Sequence, residues 1–559
     1  MAKTTGSELL IRALRAEGVD TVFGVAGDHV LHMLDSMFDA PLRMVDFRHE
    51  SGSAHAADSY SRILNKAGVM ISTTPGHANA LPALANAMHS EAPIINIAGS
   101  AESPNMGRGA MQEFDQVGAA APITKGAWNV SSPERIPEFV ARAFRTALSG
   151  RQGPVHLTIP HDFQMAEVDD ADAVRFAPNE YGTPMSVLGD PAQIERAIDI
   201  LHSAQRPVIF AGSTTAATSA PSEVLRLVET MRIPFFSEDS ARALIPDSHE
   251  YSMGLGYQPL NPTVQNVRDA DVVLMLGKKL DYTNGFGGNP PFADDTKFVL
   301  VDPSPAQIGR ARTAAVGIVG DLGPVVTQLA DAAAKRNWDE RTEWVNVLRS
   351  ACENWHASLA KLGKNEDPMH PMHVSNTLQK FIDHDTHVTF DGGDYCHFLR
   401  ASVKRDQPYR FHNVSSFGMI GVGLPYALGA QVALPGKKVV LANGDGSIGF
   451  NGMEIDTMVR HNLPVKMFVG NNAIWGIDWQ IQKGLYGRPV WTDLLPTRYD
   501  VMAQGLGAYG EHVTKAEDLE GAMKRAFDHN GPALLNIDID KIISPVAEAA
   551  ISRKTGSHG

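Results

Sequence analysis

The residues best suited to chemistry in this chain are Gly444-Asp445-Gly446-Ser447 followed, one helix and one strand later, by Asn471-Asn472. A carboxylate and an amide oxygen brought to one end of a sheet suit a hard divalent cation such as Mg²⁺, which keeps octahedral oxygen coordination and commonly carries phosphates. The glycines let backbone N–H groups close on a diphosphate, and a helix start adds favourable partial charge. A second set, Phe47-Arg48-His49-Glu50 followed by Ala54-His55-Ala56-Ala57, puts a carboxylate at the start of an alanine-rich helix. Burial there should disfavour its ionisation and suit it to sharing a proton. Two histidines in glycine-containing loops could serve as a neutral imidazole base: His29 in Gly24-Val-Ala-Gly27-Asp28-His29, then His77 in Pro75-Gly76-His77.

These groups need elements that deliver them to a common edge. Val439 to Ala442 reads as the strand carrying the Gly-Asp-Gly turn, Ile455, Met458 and Val459 as the apolar stripe of the next helix, and Val465 to Gly470 as the strand ending in the Asn pair. The carboxyl ends of parallel strands are where α/β sheets bind ligands. Thr5 to Glu8 reads as a capping box before the Leu10, Ala13, Leu14 stripe, with Gly18 closing that helix. Further strands are expected at Thr21 to Gly24, Gly68 to Ser72 and Pro93 to Ala98, and in mid-chain at Arg206 to Gly212, Asp271 to Gly277 and Lys297 to Asp302. Near-continuous apolar strands alternating with helices imply parallel sheets covered on both faces. The pattern restarts twice, so the expected fold is α/β with three consecutive domains: 1–165, 190–335 and 365–545, then a tail or lid over 546–559.

Composition agrees. A chain of 559 residues with 43% hydrophobic and 20% charged residues has a globular balance, and its length suits several domains. A net charge of −14 argues against a chain-wide nucleic-acid footprint. Cys352 and Cys396 are too few for a disulfide framework or a multi-cysteine metal site. The polar start Met1-Ala-Lys-Thr-Thr lacks the apolar core of a signal peptide, and no apolar run approaches the ~18 residues of a membrane span. The expectation is a cytoplasmic multidomain enzyme, with neither nucleic acid nor membrane as partner.

Gly444-Asp-Gly-Ser with its Asn472 partner and the flanking Leu463-Pro-Val resembles the motif of the thiamine-diphosphate-dependent enzyme superfamily. That resemblance implies a pyrimidine-binding, a central nucleotide-type and a diphosphate-binding domain, in that order. It implies Asp445 and Asn472 as side-chain ligands of Mg²⁺ and the Ile474 carbonyl as a backbone ligand. Gly446 and Ser447, with Gly393 and Asp394 in Asp391-Gly-Gly-Asp394, would hold the diphosphate. Glu50 falls on the glutamate that activates the aminopyrimidine, with Gly27, Gly76 and Asn79 in the cofactor-facing loops. Ser416-Phe-Gly418-Met-Ile420-Gly-Val-Gly-Leu-Pro425 is similar to the element whose bulky apolar residue, here Ile420, props the cofactor into its bent form. Trp475, followed by Gly476, would wall the pocket. In the superfamily the glutamate and the metal site meet across a subunit interface, which implies a homodimer or homotetramer.

Within the superfamily the chain resembles benzaldehyde lyase and the 2-hydroxyacyl-CoA lyase and oxalyl-CoA decarboxylase group. His29 and Met111-Gln112-Glu113-Phe114-Asp115-Gln116-Val117 look like benzaldehyde lyase, with Gln112 as the cofactor-facing amide; Leu494-Leu-Pro496 and Arg498-Tyr-Asp-Val-Met502 look like the CoA-dependent members. The oxalyl-CoA decarboxylase likeness implies ADP or CoA in the central domain, near Lys278, Asp302 and Asp321, although no complete G-x-G-x-x-G is present. The expected activity is cleavage of a 2-hydroxyacyl-CoA to formyl-CoA and an aldehyde or ketone, reversible as a carboligase. Behind it stand a free-acyloin lyase, a 2-oxo acid decarboxylase or acetolactate-synthase-like enzyme, and a non-enzymatic thiamine-binding paralogue.

Overall fold

In the computed structural model, residues 3–170, 173 and 186–555 are described. Three six-stranded sheets, all of parallel strands, account for the architecture, and each is flanked by helices. The interior strands are short apolar runs buried from end to end, as in Gly68–Ser72 (GVMIS), Pro207–Ala211 (PVIFA) and Val272–Leu276 (VVLML), whereas edge strands such as Arg43–Asp46 are largely exposed. Burial on both faces removes the polar alternation of a one-sided sheet, which is why these segments are legible as interior parallel strands.

The chain forms two compact units. The first comprises the N-terminal residues through 185 together with 415–435 and 451–463. Its sheet runs in the order Arg43–Asp46, Thr21–Gly24, Gly68–Ser72, Ile94–Ser100, Val155–Pro160, Ala127–Asn129. The connections leave Thr21–Gly24 and Gly68–Ser72 in opposite directions, which opens a crevice between the loops that follow them. The first connection carries His29, in the short helical turn Asp28–Val30, and the second passes through Thr73 into helix Thr74–Ser90, whose first turns hold Thr74 to Asn79. The first helix, Gly6–Ala16, has the expected capping box between Thr5 and Glu8. Helix Glu50–Leu64 is sheathed in small residues, and Gly423–Ala433 packs along it; Tyr426 of the latter donates its hydroxyl to Asp58 of the former at 2.9 Å.

The second unit comprises 186–414, 436–450 and 464 onward. It holds the central sheet, in the order Ser252–Leu255, Phe235–Ser237, Pro207–Ala211, Val272–Leu276, Lys297–Asp302, Val316–Val319. It also holds the third sheet, ordered Phe411–His412, His387–Phe390, Val439–Gly444, Lys466–Asn471, Ala533–Asp538, Tyr509–Val513. The reversal in the third sheet falls between His387–Phe390 and Val439–Gly444, beside the loops bearing Asp391 to Asp394 and Asp445.

Two features go beyond the expected division. The segments 415–435 and 451–463 lie in the C-terminal third of the chain but belong to the unit built on the N-terminal sheet, because Gly423–Ala433 and Glu454–Arg460 find their packing partners there. The tail is not a loose end: Pro545–Thr555 is a helix lying on Gly476–Tyr486, with Ile551 filling the space above Gly484. Residues 556–559 of the expected tail, and most of the lead-in to the central domain, lie outside the described residues. No helix among the described residues is long and apolar enough to cross a membrane.

Candidate functional site

In the second unit, Asp445 follows strand Val439–Gly444 directly and opens a short helix, Asp445–Asn451, rather than sitting in an open turn. Its side chain is 3% exposed, and Oδ2 is buried without a hydrogen-bond partner. Burial pushes its carboxyl up to about 6, against the opposing pull of the Ala473, Gly446 and Asn472 backbone N–H groups. Tyr499 donates its hydroxyl to the Asp445 carbonyl at 2.8 Å and so fixes the backbone behind the carboxylate. Strand Lys466–Asn471 delivers Asn472 to the same edge, half-buried, ahead of Ala473 in the left-handed region at φ 57°. Ile474 is buried and bridges Asp493, and Trp475 opens helix Gly476–Tyr486. A Cβ on Gly446 would lie 2.6 Å from the Trp475 ring, so only glycine lets the turn close beneath that indole.

The loop after His387–Phe390 supplies Gly393, at φ 116° with open space where a Cβ would stand, and Asp394 at the start of helix Asp394–Ser402. Asp394 is 3% exposed and its carboxyl is raised to about 6 by burial. Its Oδ1 accepts from Ser544 while Oδ2 is buried without a partner. The side chain is thus turned onto Ser544, leaving the backbone of this loop as the part suited to an anion. Ser447 donates to the Gly444 carbonyl at 3.2 Å.

These residues fit a thiamine diphosphate–Mg²⁺ pair on the chemistry of their donors. A buried carboxylate with an unpartnered oxygen needs a cation or a proton. No group of three or more His, Cys, Asp or Glu able to hold a metal occurs among the described residues. A metal here would therefore draw on Asp445, the Asn472 amide and a backbone carbonyl, an all-oxygen set suited to Mg²⁺.

In the first unit, Glu50 opens helix Glu50–Leu64 and is half-buried rather than enclosed. Its Oε2 accepts from Asn79 Nδ2 at 3.0 Å, and a Cβ on Gly76 would stand 2.7 Å from its Oε1. The structure thus brings Glu50, Gly76 and Asn79 together. A residue the sequence does not advertise sets the helix start: Glu454, fully buried, accepts the Arg48 and His49 N–H groups at 3.3 and 3.1 Å. Glu454 sits about 400 positions away along the chain, and no short-range pattern marks such a contact. Gly418, at φ 71°, and the half-buried Ile420 belong to this unit.

His29 is 5% exposed and lines a cleft of about 500 Å³ with Asp28, Glu102, Arg108, Met111 and His161. Burial holds its imidazole below the usual histidine range, only partly offset by Asp28, which favours the neutral ring. Its Nδ1 lies 3.2 Å from Thr74 Oγ1. Gly27, in extended backbone, precedes it. His77 does not share that setting. It is 0% exposed, stacks on His156 at 4.0 Å, and spends Nε2 on the Gln116 carbonyl and Nδ1 on Asn96. With both nitrogens engaged, His77 has none left for a substrate proton. Gln112 is exposed on its loop at φ 59°, and it is Gln116, four residues on, that turns inward to Thr74.

The proposed nucleotide residues of the central domain all make contacts within the chain. Lys278 is buried, with Nζ 2.7 Å from Asp281 and 3.7 Å from Glu238. Asp302 accepts the Ser304 N–H at 2.9 Å, and Asp321 accepts the Val187 N–H at 2.8 Å.

Residues 4–119 match the model of the N-terminal TPP-binding domain of thiamine pyrophosphate enzymes, 194–329 that of the central domain and 391–537 that of the C-terminal TPP-binding domain. The chain is 33% identical over 542 residues to a probable acetolactate synthase of Mycobacterium bovis, spanning 96% of each protein. It is 30% identical over 546 residues to a probable acetolactate synthase large subunit of Methanocaldococcus jannaschii, spanning 96% of this chain and 92% of that one. It is 29% identical over 545 residues to an oxalyl-CoA decarboxylase of Escherichia coli, spanning 96% and 95%.

Proposed function

The chain belongs to the thiamine pyrophosphate enzyme family, and from that premise we propose that it decarboxylates a 2-oxo acid and joins the retained acyl unit to a carbonyl acceptor, as an acetolactate-synthase-like enzyme. The observation carrying this reading is likeness along nearly the whole chain to proteins named acetolactate synthase, with an oxalyl-CoA decarboxylase also among the relatives. It ranks ahead of the 2-hydroxyacyl-CoA lyase expected from the motifs because relatives at 33% and 30% identity carry the acetolactate synthase name.

Bound thiamine diphosphate supplies an electron sink beside the substrate carbonyl. The rest falls to the chain. Asp445, Asn472 and the Ile474 carbonyl would hold Mg²⁺, and the backbone at Gly393 and Gly446, with Ser447, would receive the diphosphate. Trp475 and Gly476 would wall that end, and Ile420 and Gly418 would line the cofactor's place. Glu50, steadied by Asn79, would hold and return a proton at its carboxylate towards the bound cofactor. His29 offers a neutral ring to the cleft and exchanges a proton with a substrate oxygen. The working unit is a homodimer or homotetramer, a reading supported by Trp491 and Leu495, which stand 97% and 78% exposed.

A second reading has one specific observation in its favour. A neutral, cleft-lining imidazole is the natural base for the hydroxyl of a 2-hydroxyacyl-CoA or a free acyloin, whose carbon–carbon bond breaks as that proton leaves. One assay separates the readings. With thiamine diphosphate and Mg²⁺ present, a panel of 2-oxo acids, 2-hydroxyacyl-CoA esters and benzoin is followed for CO₂, formyl-CoA and free aldehyde. CO₂ from a 2-oxo acid is expected; formyl-CoA or aldehyde release without CO₂ would transfer the assignment to the lyase.

Two further outcomes follow. Because Lys278, Asp302 and Asp321 are engaged within the chain, saturating ADP or CoA is expected to leave Tm unchanged. A ligand at 100 times its Kd would stabilise the fold by about 2.7 kcal/mol, so a clear rise would favour the CoA-ester reading. His29→Ala is expected to lower kcat by ~10²–10⁴-fold, the usual worth of a general base, with thiamine diphosphate affinity near normal. His77→Ala should instead lower Tm, since it breaks a buried network. A His29→Ala loss below about tenfold, well under that range, would move the role to the neighbouring Asp28.

A further inference from the structure

We propose that Thr74 and Gln116 are positioning residues that hold the His29 imidazole with its proton on Nδ1, so that Nε2 faces the cleft as the proton acceptor. This rests on the role proposed for His29 above.

The argument is an accounting of hydrogens around one oxygen. Thr74 and Gln116 are each 2% exposed, so none of their bonds is exchanged cheaply for water. The Gly99 carbonyl can only accept, and both Thr74 Oγ1 and Gln116 Nε2 approach it at 3.1 Å. Gln116 must therefore present its amide nitrogen, and the other N–H of that nitrogen meets Thr74 Oγ1 at 2.9 Å. The Thr74 hydroxyl spends its single hydrogen on Gly99, leaving an oxygen that can only accept towards His29. Nδ1, 3.2 Å from that oxygen, must then carry the proton. The alternative, in which the hydroxyl donates to His29, would leave the Thr74 and Gly99 oxygens 3.1 Å apart with no hydrogen between them. Gln116 is in turn fixed from behind, because the buried His77 ring donates Nε2–H to its carbonyl at 3.2 Å. Among the described residues, His29 makes its hydrogen bond through Nδ1 and none through Nε2, and the residue lines the cleft.

A neutral imidazole accepts a proton only at its unprotonated nitrogen, so the tautomer decides whether the ring on the cleft is a base or a donor. The inward network would thus make His29 an acceptor towards the substrate.

The test uses the full chain with ¹⁵N-labelled histidine, with and without thiamine diphosphate and Mg²⁺, the His29 signals being identified by their loss in His29→Ala. The wild-type ring is expected in the Nδ1–H form. Thr74→Val, which keeps the shape but removes the oxygen, should shift it towards the Nε2–H form. Thr74→Ser, which keeps the oxygen, should restore it. In turnover, Thr74→Val should lower kcat by about tenfold, less than the ~10²-fold minimum for losing the base itself, with KM little changed and most of the loss recovered in Thr74→Ser. A wild-type ring in the Nε2–H form overturns the proposal without any variant. So does a folded Thr74→Val protein with an unaltered His29 spectrum; if that variant does not fold, Thr74→Ala removes the same oxygen. Undiminished turnover in His29→Ala would instead overturn the role of His29 as base, with the spectra still judging the tautomer.

Discussion

Asp445→Ala should abolish Mg²⁺-dependent binding of thiamine diphosphate while leaving the folded chain at least as stable as before. The carboxylate is 3% exposed with one oxygen unpartnered, and burial raises its carboxyl to about 6. At about 1.4 kcal/mol per pK unit, keeping it charged without a cation costs roughly 3 kcal/mol, which only a function would justify. A divalent cation relieves that cost, and no other cluster of metal-binding side chains among the described residues could replace it. Losing a group that merely supports a metal ligand costs about 10–100-fold in affinity, so losing the ligand itself should exceed ~100-fold. The readout is cofactor titration with and without Mg²⁺ beside a melting curve of the apo chain. Affinity near wild type would remove Asp445 from the metal site; a large fall in Tm would make it a structural residue instead.

Glu50→Gln should leave thiamine diphosphate affinity near normal and remove its activation. The substitution is nearly isosteric, and an amide oxygen can still accept from Asn79 Nδ2, now at 3.0 Å from Glu50. The helix start does not depend on the lost charge, because Glu454 holds the Arg48 and His49 N–H groups. What an amide cannot do is take up and return a proton. Exchange of deuterium at the thiazolium carbon of the bound cofactor should slow by ~10²–10⁴-fold, the range for a positioned acid or base. Wild-type exchange in the variant would dismiss Glu50 from that role.

Local chemistry was readable from the chain alone. Strand-length apolar runs such as Val272–Leu276, the Thr5–Glu8 capping box, and the turn joining Asp445 to its strand depend on neighbours a few positions away. The sheets, their parallel sense and the carboxyl-edge placement of Asp445, Asn472, His29 and Glu50 follow from such local patterns, as does membership of the family, whose motifs are contiguous. Only the tertiary structure separated His29 from His77. Both follow sheet strands, His29 in the short helical turn Asp28–Val30 and His77 in the first turn of helix Thr74–Ser90 rather than in a loop, yet one ring lines a cleft and the other is stacked on His156 with both nitrogens engaged. It likewise left Gln112 exposed while turning Gln116 inward, buried Lys278 against Asp281, and made Pro545–Thr555 of the expected tail or lid a packed helix. It also gave 415–435 and 451–463 to the N-terminal unit and brought Glu454 beneath the Glu50 helix. The reason is common to all of these. Whether a polar side chain meets a ligand, a counter-ion or a neighbour's backbone is decided by groups far away in sequence, and the cost of leaving a buried polar atom unpaired selects among them only once the chain has closed around it.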